Sequence, residues 1–160
     1  MSKELSASII EIAKTLIVAS PEVRSYNEGS GPSTPWGRAQ VAYKLDKGVV
    51  WYSTSGHGGL GVSSKAASKL SPHARAAAMK WAGAFWFEED ILFAIAFYEM
   101  PDWYSKYHKL AGGLIQSTDK LKEEIQKYFP RYFEDDFRNE AKNEAPSIKE
   151  LKVGDILDLE

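Results

Sequence analysis

The chain of 160 residues contains no cysteine. This excludes disulfides, thiolate catalysis and zinc sites built from cysteine, and it fits a reducing compartment. The N-terminal stretch lacks a basic start followed by a small-residue cleavage pattern, so we expect no secretory signal. The apolar stretch at 81–98 is interrupted by Glu88, Glu89 and Asp90. What remains is far shorter than the roughly 20 apolar residues of a membrane span, and we predict a cytoplasmic protein with no membrane partner.

Positive and negative residues nearly balance, with 20 Lys and Arg against 22 Asp and Glu and a net charge of −2. This gives no reason to expect nucleic acid as a direct partner. The distribution is uneven, because residues 1–80 hold ten Lys/Arg and five Asp/Glu (+5), whereas residues 81–160 hold ten and seventeen (−7). Either the two halves attract each other within one fold, or the acidic half meets a basic partner.

The patterning predicts an α+β fold, with a small antiparallel sheet of about three strands packed by several helices. An Asp-Lys-Gly turn joins strands 38–45 and 49–54 into a hairpin, and a third strand is expected at about 60–63. A fourth strand at the C-terminus is a further candidate. Helical spacing and caps predict helices at 4–19, 72–81, 88–100, 102–110, 118–129 and 131–142. The length of 160 residues fits a single domain, 1–160, with a core motif region of about 33–103, the N-terminal helix 4–19 and a C-terminal helical extension 104–142.

His57 lies between glycines in the segment VVWYSTSGHGGLGVS, residues 49–63. Glycine adopts backbone angles that cost other residues energy, which serves either a tight strand connection or the close approach of a ligand, and both remain open. A histidine there could act as a general base, with Ser53 and Thr54 as nearby hydroxyls and Gly58 and Gly59 as backbone contacts. However, a serine and a histidine so close in sequence rarely reach the geometry of a catalytic triad.

Three acidic residues, Glu88, Glu89 and Asp90, follow an aromatic run. On a helix, consecutive residues point about 100° apart, so one carboxylate would be turned toward apolar surroundings. The acids could simply bind free amides at a helix N-terminus, or one of them could pair with His57 and orient its ring. Because His73 and His108 lie in other segments, we predict no metal site, and no motif indicates a cofactor.

Two further segments are candidate binding surfaces. Trp36 lies in the loop SGPSTPWGR, from which it could cover the histidine corner. The stretch YFPRYFEDDF, residues 128–137, combines aromatics such as Tyr132 with Glu134, Asp135 and Asp136. It is typical either of an amphipathic helix with a solvated acidic face or of a surface for a basic protein, including one associated with nucleic acid.

The motifs together resemble an uncharacterised domain family of phage, plasmid and other mobile-element proteins. That family combines Pro-Trp-Gly, Ser/Thr-x-x-His-Gly-Gly and an aromatic-Glu-Glu-Asp motif. The matching positions are Pro35, Trp36, Gly37, Ser53, Thr54, His57, Gly58, Gly59, Glu88, Glu89 and Asp90. The resemblance covers about 33–103, departs in a long insertion between the last two motifs, and implies a mobile-element context without an assigned activity.

Two functions from different classes follow. We favour a non-enzymatic phage or mobile-element accessory protein that binds a host protein, with a defence system as one candidate target. The alternative is a small hydrolase- or transferase-like enzyme that uses His57 with an acidic partner from Glu88, Glu89 or Asp90. The sequence leaves the oligomeric state open.

Overall fold

The computed structural model describes residues 22–112 and 117–134, and within them the chain folds as α+β. The strands are β1 Val23–Ser25, β2 Ser33–Thr34, β3 Gly37–Arg38, β4 Val41–Asp46, β5 Val49–Ser53, β6 Gly58–Ser63, β7 Met79–Trp81 and β8 Ala84–Glu88. The α-helices are α1 Pro72–Ala77, α2 Phe93–Glu99, α3 Pro101–Ala111 and α4 Thr118–Tyr128. Two 3₁₀ helices, Ala66–Lys69 and Pro130–Phe133, complete the described elements.

The main sheet has six strands in the order β1-β4-β5-β6-β8-β7, and every pair is antiparallel. A separate ribbon pairs β2 with β3. The prediction of a sheet of about three strands is therefore wrong. The hairpin of β4 and β5 and the third strand, β6, are present, but β1, β7 and β8 widen the sheet beyond them.

The missed hairpin, β7 with β8, overlaps the end of the predicted helix 72–81 and reaches the start of the predicted helix 88–100. A two-residue turn joins Trp81 to Ala84, and both of its residues have positive φ, 48° at Ala82 and 75° at Gly83. Positive φ at both central residues is typical of a type I′ turn, whose twist matches that of the flanking strands. Alanine is an unusual choice at such a position, so the sequence carried only a weak turn signal.

The helices differ from the prediction in two places. Helix α1 begins at Pro72 but ends at Ala77, and α2 begins only at Phe93 because Glu88 still belongs to a strand. Helices α3 and α4 lie where they were predicted. The predicted helix 4–19, most of the predicted helix 131–142 and the C-terminal strand candidate lie outside the described residues. Among the helices that the structure describes, none has the length and hydropathy of a membrane span.

The sheet separates two cores. On the first face, apolar side chains from β5, β6 and β8 pack against the helices. Trp51 is the centre of this face, because its ring stacks on Phe97 (5.8 Å between centroids, 20° between planes) and contacts Tyr107 at 4.5 Å. The other buried residues of this core include Leu60, Val62, Phe85, Phe87, Ile95, Trp103, Leu121 and Ile125.

The second face is covered by the segment that carries β2 and β3. Its core consists of Ala39, Ala42, Val50, Tyr52, Ala84 and Trp86, with Tyr26 and Trp36 packed against it. Successive residues of a strand point to opposite faces, so β5 supplies Val49 and Trp51 to one core and Val50 and Tyr52 to the other. Burial on both faces explains why this strand is apolar without a polar alternation.

Asp46 fastens the end of β4 to the helical layer. Its carboxylate accepts hydrogen bonds from Lys69 Nζ (2.8 Å), Trp103 Nε1 (3.0 Å) and the Lys47 amide (2.8 Å). Partial burial alone would raise the pKa of Asp46, but these hydrogen bonds and the Lys69 charge lower it overall. A carboxyl group whose pKa is lowered by folding stabilises the protein above its unfolded pKa of about 4, and this contribution is lost as the pH falls through the folded value.

We expect Asp46→Asn to lower the free energy of unfolding by about 1 kcal/mol at pH 7, because the partly exposed pair with Lys69 is lost and the bond from Trp103 weakens. Urea denaturation at several pH values measures this. The difference from the parent chain should shrink as the pH falls below about 4 and through the lowered pKa of Asp46 in the folded state. The exposed Asp90→Asn is the control, and an Asp46→Asn effect that is independent of pH would contradict the assignment.

Candidate functional site

The glycine–histidine segment forms the turn between β5 and β6, and Thr54 closes it. The Thr54 hydroxyl donates to the carbonyl oxygen of His57 (2.6 Å) and accepts from the His57 amide (3.1 Å), while the Thr54 amide donates to the same carbonyl (2.7 Å). Ser53 is the last residue of β5 and lies opposite Gly58. The Thr54 hydroxyl is thus engaged by the backbone of the turn and is not directed at the His57 ring.

The His57 ring lies at the surface, next to one of the three predicted acids. Its Nδ1 is 3.7 Å from Glu89 Oε1, and the side chains of His57 and Glu89 are 64% and 37% exposed. A separation of 3.7 Å is longer than a hydrogen bond. The arrangement is an exposed ion-pair geometry at the mouth of a turn, and it differs from the buried, hydrogen-bonded pair that orients a catalytic imidazole.

The other two acids have separate positions. Glu88 ends β8, and its carboxylate accepts from the amides of Ile91 (3.0 Å), Leu92 (3.3 Å) and Asp90 (3.3 Å). This carboxylate satisfies the free amides of the turn that precedes α2, as acids do at helix N-termini. The expectation that helical geometry forces a carboxylate into the core does not apply, because the three residues span a strand end and a turn; Asp90 is exposed.

Gly58 and Gly59 belong to β6, and neither has a positive φ. Glycine is needed at these two positions because there is no room for a side chain. A Cβ built on Gly59 would lie 2.5 Å from Trp36 Cη2 and 2.9 Å from Glu88 Cα, and closer still to the carbonyl oxygen of Phe87. The missing side chain therefore lets the Trp36 ring lie against the sheet and lets β8 pair closely with β6.

Trp36 is held in this position by the ribbon of β2 and β3. The Thr34 hydroxyl donates to the carbonyl oxygen of Gly37 (2.7 Å) and accepts from the Trp36 amide (3.2 Å). The Trp36 ring then meets Trp86 edge to face, with 5.8 Å between centroids. Trp36 is thus a half-buried part of the second core, and it covers Gly59, the second glycine after His57.

The predicted C-terminal binding stretch is only partly described. Tyr132 is 6% exposed, and its hydroxyl donates to the carboxylate of Glu99. The same carboxylate accepts from the amide (2.7 Å) and hydroxyl (2.5 Å) of Ser71, so Tyr132 ties the second 3₁₀ helix to α1 and α2. Burial, with the bond to Glu99, raises the pKa of Tyr132. Glu134 lies 3.8 Å from Arg131 and is exposed, whereas Asp135 and Asp136 lie outside the described residues.

Exposed large apolar side chains lie at two places in the described chain. Tyr128 is 49% exposed and borders a cavity of about 290 Å³ whose other lining residues are Ala77, Phe129, Pro130, Arg131 and Tyr132. Met79 and Trp81, each 38% exposed, lie on β7. The sequence did not identify Met79 and Trp81 as surface residues, because this segment was predicted to be helical. The signal for a strand was the apolar–charged–apolar alternation of Met79, Lys80 and Trp81 before the turn residues Ala82 and Gly83.

In residues 22–112 and 117–134, no three His, Asp or Glu side chains are grouped as metal ligands would be. His73 and His108 lie apart from His57, against Tyr132 and Tyr104 respectively. Burial lowers the pKa of His108.

The comparison with protein families identifies the domain. The chain belongs to the family described as Domain of unknown function (DUF7007). The family model matches residues 29–152, which extends beyond the motif region of 33–103. No curated protein and no solved structure matches the chain significantly. Membership of DUF7007 confirms the expectation of an uncharacterised domain.

We expect Gly59→Ala to lower the free energy of unfolding by about 1–3 kcal/mol, because its Cβ would collide with the Trp36 ring and the backbone of β8. Gly56→Ala is the matched control, since a Cβ at Gly56 meets nothing within 4 Å and its φ is not positive. Chemical denaturation of both variants, followed by tryptophan fluorescence, measures the difference in the free energy of unfolding. Equal stability of the two variants would show that the close approach at Gly59 is not needed.

Proposed function

We propose that this member of DUF7007 is a non-enzymatic accessory protein of a phage or other mobile element, and that it binds a host protein in the host cytoplasm. The mobile-element context rests on the resemblance of the three motifs. A component of a host defence system is one target that such a protein would inhibit. The acidic excess of residues 81–160 favours a basic target, including a nucleic-acid-associated protein.

One observation carries this proposal, the exposure of Tyr128 beside an apolar cavity. A tyrosine that is 49% exposed at the rim of a cavity of about 290 Å³ offers an apolar ring and a polar tip to a partner. Tyrosine is also enriched among residues that dominate binding energies at protein interfaces. Tyr128 is the first residue of the stretch 128–137 that the sequence pattern indicated as a binding surface. The buried Tyr132, from the same stretch, lines the cavity.

The test is capture of a host protein by the tagged full chain, compared between Tyr128→Ser and Gln126→Ser. Gln126 is exposed on the same helix but points about 200° away from Tyr128. We expect Tyr128→Ser to weaken capture at least about tenfold and Gln126→Ser to leave it unchanged. Absence of any specific host partner, or equal capture by both variants, would reject the proposal.

A second function, an enzyme using His57 with Glu89, has one observation in its favour. The Nδ1–Oε1 distance of 3.7 Å would allow the pair to close into a hydrogen bond after a small side-chain rotation. The 64% exposure of the His57 side chain and the engagement of the Thr54 hydroxyl within the turn argue for the binding function.

His57→Ala separates the two functions. If the protein acts by binding through Tyr128, we expect His57→Ala to retain the biological effect of the parent chain within about twofold, because an exposed side chain contributes little to stability. The readout is the effect on host growth or on defence, with Tyr128→Ser assayed in parallel. Complete loss of the effect in His57→Ala, with a normal melting curve, would favour catalysis.

A further inference from the structure

A long internal segment of this chain is basic without any acidic residue. From residue 47 to residue 87 there is no Asp or Glu; the Lys and Arg residues are Lys47, Lys65, Lys69, Arg75 and Lys80. Lys69 is paired with Asp46 at 2.8 Å, and Arg75 donates to the carbonyl oxygens of Ala67 and Leu70. Lys47 and Lys65 are exposed and form no ion pair with any residue of the described ranges. Their charges are directed to solvent.

The strand register places these two lysines at one end of the sheet, together with Trp81. The β4–β5 turn carries Lys47, and the amide of Ser63, the last residue of β6, donates to the carbonyl oxygen of Gly48 in that turn (2.8 Å). Lys65 follows Ser63 by two residues. Ser63 in turn lies opposite Ala84, which lies opposite Trp81. We call this end of the sheet, with Lys47, Lys65 and Trp81, the basic end. Strand β7 lies two strands from β6, and the Trp81 side chain is on the second face, against Trp86.

Trp81 gives the basic end a fixed apolar group. Its side chain is 38% exposed, yet its ring packs edge to face on the fully buried Trp86, with 5.8 Å between centroids. Met79, two residues earlier on the same strand, points to the same face and is equally exposed. An exposed tryptophan that is already immobilised loses little entropy on binding, which is the property of an anchor residue at an interface.

We propose that the basic end of the sheet docks an acidic segment of a partner protein. Carboxylates of the segment pair with Lys47 and Lys65, and an apolar side chain packs on the exposed part of Trp81. The complementarity of charge selects the partner, since opposite potentials steer and orient protein association. A protein segment fits better than nucleic acid, because the whole chain carries a net charge of −2 and two unpaired lysines would neutralise few phosphates.

Lys47, Lys65 and Trp81 belong to other elements than Tyr128, so the proposal goes beyond the proposed function, and Lys47→Glu with Lys65→Glu and Tyr128→Ser test the two separately. The test uses the purified full chain to select binders from a library of random peptides about 12 residues long, at low salt. We expect the selected peptides to share acidic residues beside a Leu, Phe or Trp. Fluorescence anisotropy with one labelled selected peptide then gives affinities for variants.

Charge-matched variants locate the binding. Lys47→Glu with Lys65→Glu changes the charge by the same amount as Lys120→Glu with Lys122→Glu, and all four lysines are exposed. We expect the first pair to weaken the peptide at least about tenfold and the second pair to change affinity by less than about threefold. Trp81→Ser should weaken binding about tenfold or more. Because this change also removes a contact with Trp86, the melting curve of the variant is recorded as a control. If Trp81→Ser is unfolded, the comparison of the two lysine pairs alone tests the proposal.

Three results would overturn the proposal. Selected peptides without an acidic excess would show that charge does not choose the partner. Equal losses in the two lysine pairs would show a non-specific effect of net charge. Tighter binding of an oligothymidylate than of the selected peptide, with loss in Lys47→Glu/Lys65→Glu, would assign the surface to single-stranded nucleic acid instead.

Discussion

The second face of the sheet depends on the missing side chain at Gly59. Trp36 reaches this face from the ribbon of β2 and β3, and its ring occupies the volume that a Cβ at residue 59 would need. Because Trp36 then packs on Trp86, the loop is joined to the central strands by an aromatic contact and not by a strand pair. Gly59 and Trp36 are therefore two parts of one packing interaction. Their presence in the motifs has a structural reason that does not depend on the exposed His57.

This interaction makes β5 and β6 interior on both sides, with consequences for the turn that joins them. Val50 and Tyr52 are buried under the loop while Val49 and Trp51 are buried under the helices, so the strands cannot shift register without exposing one set to water. The turn at Thr54–His57 projects from the end of this fixed pair. Its hydroxyl and amide groups close the turn, which leaves the His57 ring as the group that reaches solvent beside Glu89.

The parts that could be predicted from the sequence are those fixed by local chemistry. Asp46-Lys47-Gly48 specifies a turn, with φ of 74° at Gly48, and Ser71-Pro72 specifies a helix start in which the serine hydroxyl accepts from the Ala74 amide. The β7–β8 hairpin could not be predicted in this way, since Ala82 adopts a left-handed conformation that nothing local favours. It is stabilised by Trp81 and Trp86, whose contact exists only after folding. Missing this hairpin also made the predicted positions of Glu88, Glu89 and Asp90 wrong. They were expected on a helix, but Glu88 ends β8 and α2 begins only at Phe93.

The distribution of charge follows from the same topology. In an antiparallel sheet successive turns alternate between two ends, so Lys47 and Lys65 gather at one end while Glu89 and Asp90 gather with His57 at the other. Among the described residues, the ion pair that joins Lys106 to Glu22 links a second-half lysine to a first-half acid, and Lys47 and Lys65 are exposed. These two exposed lysines, and the exposed and immobilised Trp81 at the same end of the sheet, are the observations on which the proposed docking of an acidic segment rests.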